Sequence, residues 1–202
     1  MKIFCTGENV PGPQAGKGGA FSSEPSFFIK PETALIKAGQ AFFIPDFSIS
    51  VSCGVSLVAR ICKPGKQIQS RFAPSYYQEI GAGLTFTAHD LLRRHISQGL
   101  PWEMGVAFDG SAAVSRLVPA GSLDETKGVC FSLKKNSRHE YEASSKRMMQ
   151  DFDELIALVS GYVTLKIGDY LFTGTPGYVP VEAGDILEVS LQEEKVLKVA
   201  VR

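Results

Sequence analysis

Short apolar runs cut by turn residues constrain the fold of this chain more than any other feature. They fall at 26–30, 41–44, 55–62, 84–86, 104–108, 129–133, 170–173, 186–191 and 195–201, with a further short strand expected at 2–5. Pro64-Gly65, Asp109-Gly110, Gly168-Asp169 and Gly184-Asp185 stand between them. Such pairs reverse a chain, because Gly reaches positive φ and Pro fixes its own φ. Most of these runs suit strands, being too short for helices that bury a face. Residues 55–62 and 186–191 mix alternation with continuous apolar stretches, as half-buried and buried strands do.

Two segments predict helices. Thr87-Ala88-His89-Asp90 has the Thr-x-x-Asp form of an N-terminal cap, and Gly99 stops the apolar pattern that follows. In 145–160, Met148, Phe152, Leu155, Ile156 and Val159 fall at helical spacing. Lys146, Arg147, Asp151, Asp153 and Glu154 take the other face, and Gly161 stands at the cap position. Many short strands with two main helices predict a β-dominated α+β domain of packed, mostly antiparallel sheets. A length of 202 residues suits a single domain, 1–202.

Charge and cysteine usage exclude several classes. The 21 basic residues balance 21 acidic ones, so no net field draws the chain to nucleic acid or an anionic membrane. No apolar run is long enough to span a bilayer, and the run at Met1–Cys5 is too short for a signal peptide. Cys5, Cys53, Cys62 and Cys130 form no C-x-x-C pair. They read as reduced thiols, and the expected compartment is the cytoplasm. Residues 7–23 hold Gly7, Gly12, Gly16, Gly18 and Gly19 with Pro11 and Pro13, which predicts a mobile loop.

The candidate binding feature is Gly168-Asp169-Tyr170-Leu171-Phe172-Thr173-Gly174-Thr175-Pro176. A turn launches an apolar strand that ends on two hydroxyls, a Gly and a Pro. Thr173, Gly174 and Thr175 could hold an anionic ligand with hydroxyls and backbone amides, although a plain strand end followed by a turn would look the same.

Together with two other stretches, this turn resembles the fumarylacetoacetate hydrolase family. They are Glu24-Pro25-Ser26-Phe27-Phe28-Ile29-Lys30-Pro31-Glu32-Thr33-Ala34-Leu35 and Leu165-Lys166-Ile167-Gly168-Asp169. The resemblance runs from about Pro25 to the C-terminus. It implies the C-terminal-domain fold of that family and homodimers. It also implies hydrolysis or isomerisation of small acylpyruvate or β-diketo acids on Mg²⁺ or Mn²⁺. In the family an E-x-E pair on a strand and a third carboxylate hold the ion. Residues two apart on a strand share a face, so both glutamates converge on one hard cation.

This chain departs from that pattern. By its Leu-Val-x-x-Ile-x-Lys register, the strand 55–63 places Gly54 and Ser56 at the glutamate positions, and no Asp or Glu occurs between Asp46 and Glu79. The segment Gly83-Leu84-Thr85-Phe86-Thr87-Ala88-His89-Asp90 assigns the third carboxylate, by resemblance, to Asp90; a first-turn helix carboxylate is the plainer reading. Val106 stands where a W-x-x-x-K-x-F-D pattern carries lysine, and the family's substrate-touching Gln falls near Tyr141. Nothing between Asn9 and Ser23 is His, Asp or Glu, so the lid segment offers no general base. The expectation is a family member with its metal site largely lost, needing no cofactor or at most a weak Mg²⁺ or Mn²⁺. The alternative is a binding protein for a keto acid or carboxylate without turnover.

Other constellations carry less. His89 and Asp90 with Ser56 would suggest a hydrolytic triad, but adjacent helix residues do not face each other. Cys53 beside Gly54 could be a thiol or soft-metal ligand, or simply a buried structural Cys. The basic turn Lys134-Lys135-Asn136-Ser137-Arg138-His139 reads as solvated.

Overall fold

A computed structural model of the chain describes residues 1–7, 9–11, 26–37, 39–123 and 127–202. Its strands are β1 (Lys2–Thr6), β2 (Phe27–Pro31), β3 (Val51–Ile61), β4 (Tyr77–Ala88), β5 (Ala112–Val114), β6 (Val118–Pro119), β7 (Cys130–Lys135), β8 (Arg138–Ser144), β9 (Tyr170–Phe172), β10 (Val179–Pro180), β11 (Ile186–Leu191) and β12 (Glu194–Ala200). The α-helices are α1 (His89–Ser97), directly after β4, and α2 (Phe152–Tyr162). The larger sheet runs β2-β1-β9-β3-β4-β5, with β10 added to β3 and β6 to β4; the smaller runs β12-β11-β7-β8. Among the described strands, all pairings are antiparallel except β1 with β9. The β-dominated α+β expectation holds.

The core lies between the two sheets. Phe131 and Leu133 of β7 and Leu187 and Val189 of β11 join Val55, Leu57 and Leu84 in one apolar cluster, as facing sheets bury their inner faces against each other. β11 alternates buried and half-buried residues because only one of its faces is covered. β3 is buried along nearly its whole length, so both of its faces are covered. That explains its continuous run of apolar and small residues.

A buried carboxylate pins the turn before β9. Asp169 accepts from the backbone amides of Lys2 at 2.8 Å and Lys166 at 2.9 Å, and pairs with Lys2 Nζ at 2.7 Å. It thereby ties β1 alongside β9. Gly168 itself takes φ +87°, a conformation the Gly-Asp turn requires.

Several boundaries differ from expectation. Residues 41–44 form no strand and contribute a single bridge from Phe42 to Val201. In 104–108 the chain instead makes a 3-10 turn at Glu103–Gly105. A Cβ on Gly105 would lie 2.9 Å from the Leu92 backbone, so this turn is pressed against α1. Thr87 is no helix cap: β4 continues through it to Ala88, which caps α1 without a side-chain bond. A β-branched residue with a strand partner favours the extended chain. α2 starts at 152 rather than 145, because Asp151 and Glu154 form a reciprocal capping box and Ser145–Arg147 a separate 3-10 turn. Gly161 lies inside this helix. Of the segment expected to be mobile, Glu8 and residues 12–23 lie outside the described residues. Asn9 and Val10 are buried, and Asn9 exchanges two hydrogen bonds with the Gln150 backbone at 2.8 and 2.9 Å.

Candidate functional site on the outer face of β3 and β4

Residues opposite each other in an antiparallel pair project to the same face. The register sets Ser52 opposite Thr87, Gly54 opposite Thr85, and Ser56 opposite Gly83. These six share one face, while Cys53, Val55, Leu57, Leu84 and Phe86 point into the core. The face therefore carries hydroxyls, all of them buried, and no carboxylate.

The turn after β9 closes over this face. β9 pairs with β3 at Val58–Arg60 and β10 pairs with it at Ser52 and Cys53, which leaves Val55 without a strand partner on that edge. The Tyr141 hydroxyl takes the place of one, accepting from Val55 N at 2.9 Å. It also reaches Thr175 Oγ1 at 3.2 Å and the Gly177 carbonyl at 3.0 Å. Thr175 Oγ1 donates to the same carbonyl at 2.7 Å. Thr173 bonds the Leu57 carbonyl through both its amide, at 3.0 Å, and its hydroxyl, at 3.2 Å. Thr173 and Thr175 thus lie where a ligand-binding turn was expected, with their hydroxyls engaged inside the protein. Gly174, at φ +89°, passes against the Gly7 carbonyl, an approach only glycine permits. A Cβ on Gly54 would fall 2.6 Å from Thr175 Oγ1 and 2.8 Å from its Cβ and Cγ2. Thr175 occupies the space that a side chain at position 54 would need.

Asp90 stands apart from this face. Its carboxylate accepts from Ser48 Oγ at 2.6 Å and from Ile49 N at 3.1 Å, fixing the loop before β3 to the first turn of α1. Burial alone would raise its pKa, but these bonds, with those from the Leu91 and Asp90 amides, hold it below the ordinary carboxylate value. Asp90, the expected remnant metal ligand, is thus engaged with Ser48 and Ile49, and the residue facing Gly54 across the strand pair is Thr85. Its place follows from the pairing of Thr87 with Ser52, two residues further along each strand.

This donor set does not fit a hard divalent cation. Mg²⁺ and Mn²⁺ sites rely on carboxylate charge and several oxygens in a fixed cage. Here Gly54, Ser56 and Thr85 supply none of that charge, and Thr175 fills the gap between them. Among the described residues no three His, Cys, Asp or Glu side chains gather in a group able to hold a metal. Cys53 adds no soft ligand, since burial pushes its thiol up to about 12. Val106 is buried, and its carbonyl accepts from the ammonium of Lys30. That ammonium is completely buried and also bonds the Ser111 carbonyl, at 2.8 Å, and Ser111 Oγ, at 3.1 Å. It also lies 3.4 Å from the Phe86 carbonyl of β4 and holds the scaffold together.

The residue that sequence reasoning missed as a partner is Ser52. His89 Nε2 lies 2.5 Å from Ser52 Oγ, and the imidazole meets the Tyr178 ring edge-on, with centroids 5.1 Å apart. Ser52 and His89 are 37 positions apart, and only the β3–β4 register brings them together. Burial and, next, the Arg93 charge lower the His89 pKa, against a smaller opposing effect of Asp90, which favours the neutral ring.

Comparison with known proteins agrees with this fold. The C-terminal domain family of fumarylacetoacetate hydrolase matches residues 2–202. The oxaloacetate tautomerase of Escherichia coli (strain K12) is 33% identical over 191 residues, covering 94% of this chain and 87% of its own. The mitochondrial oxaloacetate tautomerase of Mus musculus is 29% identical over 190 residues, covering 94% of this chain and 86% of its own. The crystal structure of fumarylpyruvate hydrolase from Pseudomonas aeruginosa, in complex with Mn²⁺ and pyruvate, superimposes with a TM-score of 0.90 at 28% identity. It covers all of this chain and 89% of that one. The chain belongs to the fumarylacetoacetate hydrolase family, a group whose similar members here are hydrolases and tautomerases. No helix among the described residues is long and apolar enough to cross a membrane.

Proposed function

We propose that the chain is a hydrolase- or isomerase-type member of its family that takes small keto acids at the β3–β4 face without a carboxylate-held divalent ion. The observation that carries this reading is the Gly54–Thr85 pair, with Thr175 packed into the space beside it. Hydroxyls of Ser52, Ser56, Thr85 and Thr87 surround Gly54 and can donate to carboxylate and keto oxygens. The Thr173–Gly174–Thr175 turn forms the wall of the site. The names of the E. coli and mouse relatives, and the pyruvate bound in the P. aeruginosa enzyme, point to keto acids as the ligand class. A homodimer in the cytoplasm is the proposed working form.

Ultraviolet absorbance of the oxaloacetate enol, followed with EDTA-treated protein, tests the reading. Enol–keto interconversion above the buffer rate, unchanged by added Mn²⁺, is expected. Activity that appears only with Mn²⁺ would overturn it.

Binding without turnover is the second reading. It is favoured by Val106 at the lysine position, and by a lid segment whose sequence holds no His, Asp or Glu between Asn9 and Ser23. Calorimetric binding of pyruvate with no enol–keto interconversion would select it.

A further inference from the structure

We propose that Ser52 and His89 form a nucleophile–base pair for acyl transfer, acting on the acyl carbon of an activated ester or a β-diketo acid. Only the keto-acid identity of the substrate rests on the function proposed above; the reactivity of the pair does not.

The geometry is that of an activated hydroxyl. A serine is a weak nucleophile unless a base within hydrogen-bond reach takes its proton, and His89 Nε2 lies 2.5 Å from Ser52 Oγ. In the tautomer with hydrogen on Nδ1, Ser52 Oγ donates to Nε2. Three contacts place His89, one of them on the ring itself. Its backbone amide donates to the Ser50 carbonyl at 2.8 Å, which anchors the start of α1 to the loop before β3. Arg93 Nε donates to the His89 carbonyl at 3.2 Å. The Tyr178 ring packs against it at an interplanar angle of 84°. Ser52 is held in β3 between Thr87 of β4 and Pro180 of β10. Ser52 is buried, while the half-buried His89 and the 38% exposed Tyr178 border it. Thr87, its cross-strand partner on the same face, carries the hydroxyl that would donate to the carbonyl under attack.

The reaction balances within the pair and water. The Ser52 hydroxyl proton passes to His89 Nε2 as Oγ bonds the acyl carbon. In a β-diketo acid the carbon–carbon bond next to that carbonyl breaks, and its electron pair leaves on the keto-acid fragment. That carbon takes the proton from His89. Water then gives a proton to His89, its oxygen attacks the acyl-Ser52 ester, and Oγ leaves and is reprotonated. One carboxylic acid and one keto acid result from one water.

Labelling with a fluorophosphonate, mapped by peptide mass spectrometry on the wild-type protein, tests the pair. Modification at Ser52 is expected, absent in Ser52→Ala and slowed at least ~100-fold in His89→Gln. Circular dichroism of each variant checks folding, and site mapping on the wild type needs no variant. An unlabelled Ser52, or labelling at the same rate in folded His89→Gln, would overturn the proposal. Pyruvate in the reaction separates the two readings. Labelling at Ser52 that pyruvate slows supports both. Labelling that pyruvate leaves unchanged upholds the pair and counts against the keto acid as ligand.

Discussion

The Cβ that Gly54 lacks would lie 2.6 Å from Thr175 Oγ1, so these two residues divide one space between them. Thr175 cannot easily give way, because its hydroxyl is bonded to Tyr141 and Gly177. Gly54→Ala is therefore expected to destabilise the fold by ~1–3 kcal/mol, as overpacking does. Combining it with Thr175→Gly should recover part of the loss. Thermal melts of the single and double variants check this, and additive losses would contradict the shared space.

Tyr141 completes the β3 edge where neither β9 nor β10 reaches. Tyr141→Phe leaves the buried Val55 amide without its acceptor and removes both contacts to the 175–177 turn. A loss of ~1–3 kcal/mol is expected in urea denaturation, the range for an unsatisfied buried donor. A change within error would show that the turn closes on β3 by packing alone.

Lys30 gives a pH signature. Burial lowers its pKa from the ordinary 10.5 to about 8. The folded chain thus releases this proton before the unfolded chain does, and stability rises with pH through that window. Below about 8 the full penalty is present, on the order of 3 kcal/mol; above 10.5 it is gone. Relative to Lys30→Met, the wild type should gain stability between pH 8 and pH 10. Parallel melting curves for the two proteins over that range would count against a depressed Lys30.

How much of this was legible in the sequence depended on the range of the signal. Turn pairs and apolar runs located β1, β2, β7, β9, β11 and β12 closely, because those cues are local. β8 was missed: Arg138–Ser144 is polar on its exposed side and lacks an apolar run. Gly54 and Ser56 were located by the resemblance of the 55–63 register to the family strand. Thr85 was not, because its place depends on the pairing of two strands 31 positions apart in sequence at Gly54 and Thr85. The same pairing hid Ser52 from His89. Asp90 drew attention as a carboxylate, yet nothing near it in sequence announced Ser48 as its partner.

Asp90 follows from that geometry as a structural residue. Asp90→Asn should weaken the bonds from Ser48 and Ile49 and cost ~1 kcal/mol. Because its folded pKa is depressed, the contribution is present above the unfolded pKa and fades as pH falls through the folded value. Chemical denaturation of wild type and variant at neutral and acidic pH reads the difference. A difference that grows on acidification would contradict the assignment.

The account centres on a β3–β4 face that works without a carboxylate-held ion, and Mn²⁺ calorimetry on EDTA-treated protein, with and without pyruvate, tests it most directly. The prediction is Mn²⁺ binding no tighter than scattered surface sites, unchanged in Asp90→Ala, with pyruvate affinity the same whether or not the ion is present. One tight, stoichiometric Mn²⁺ site on which pyruvate binding depends would contradict it.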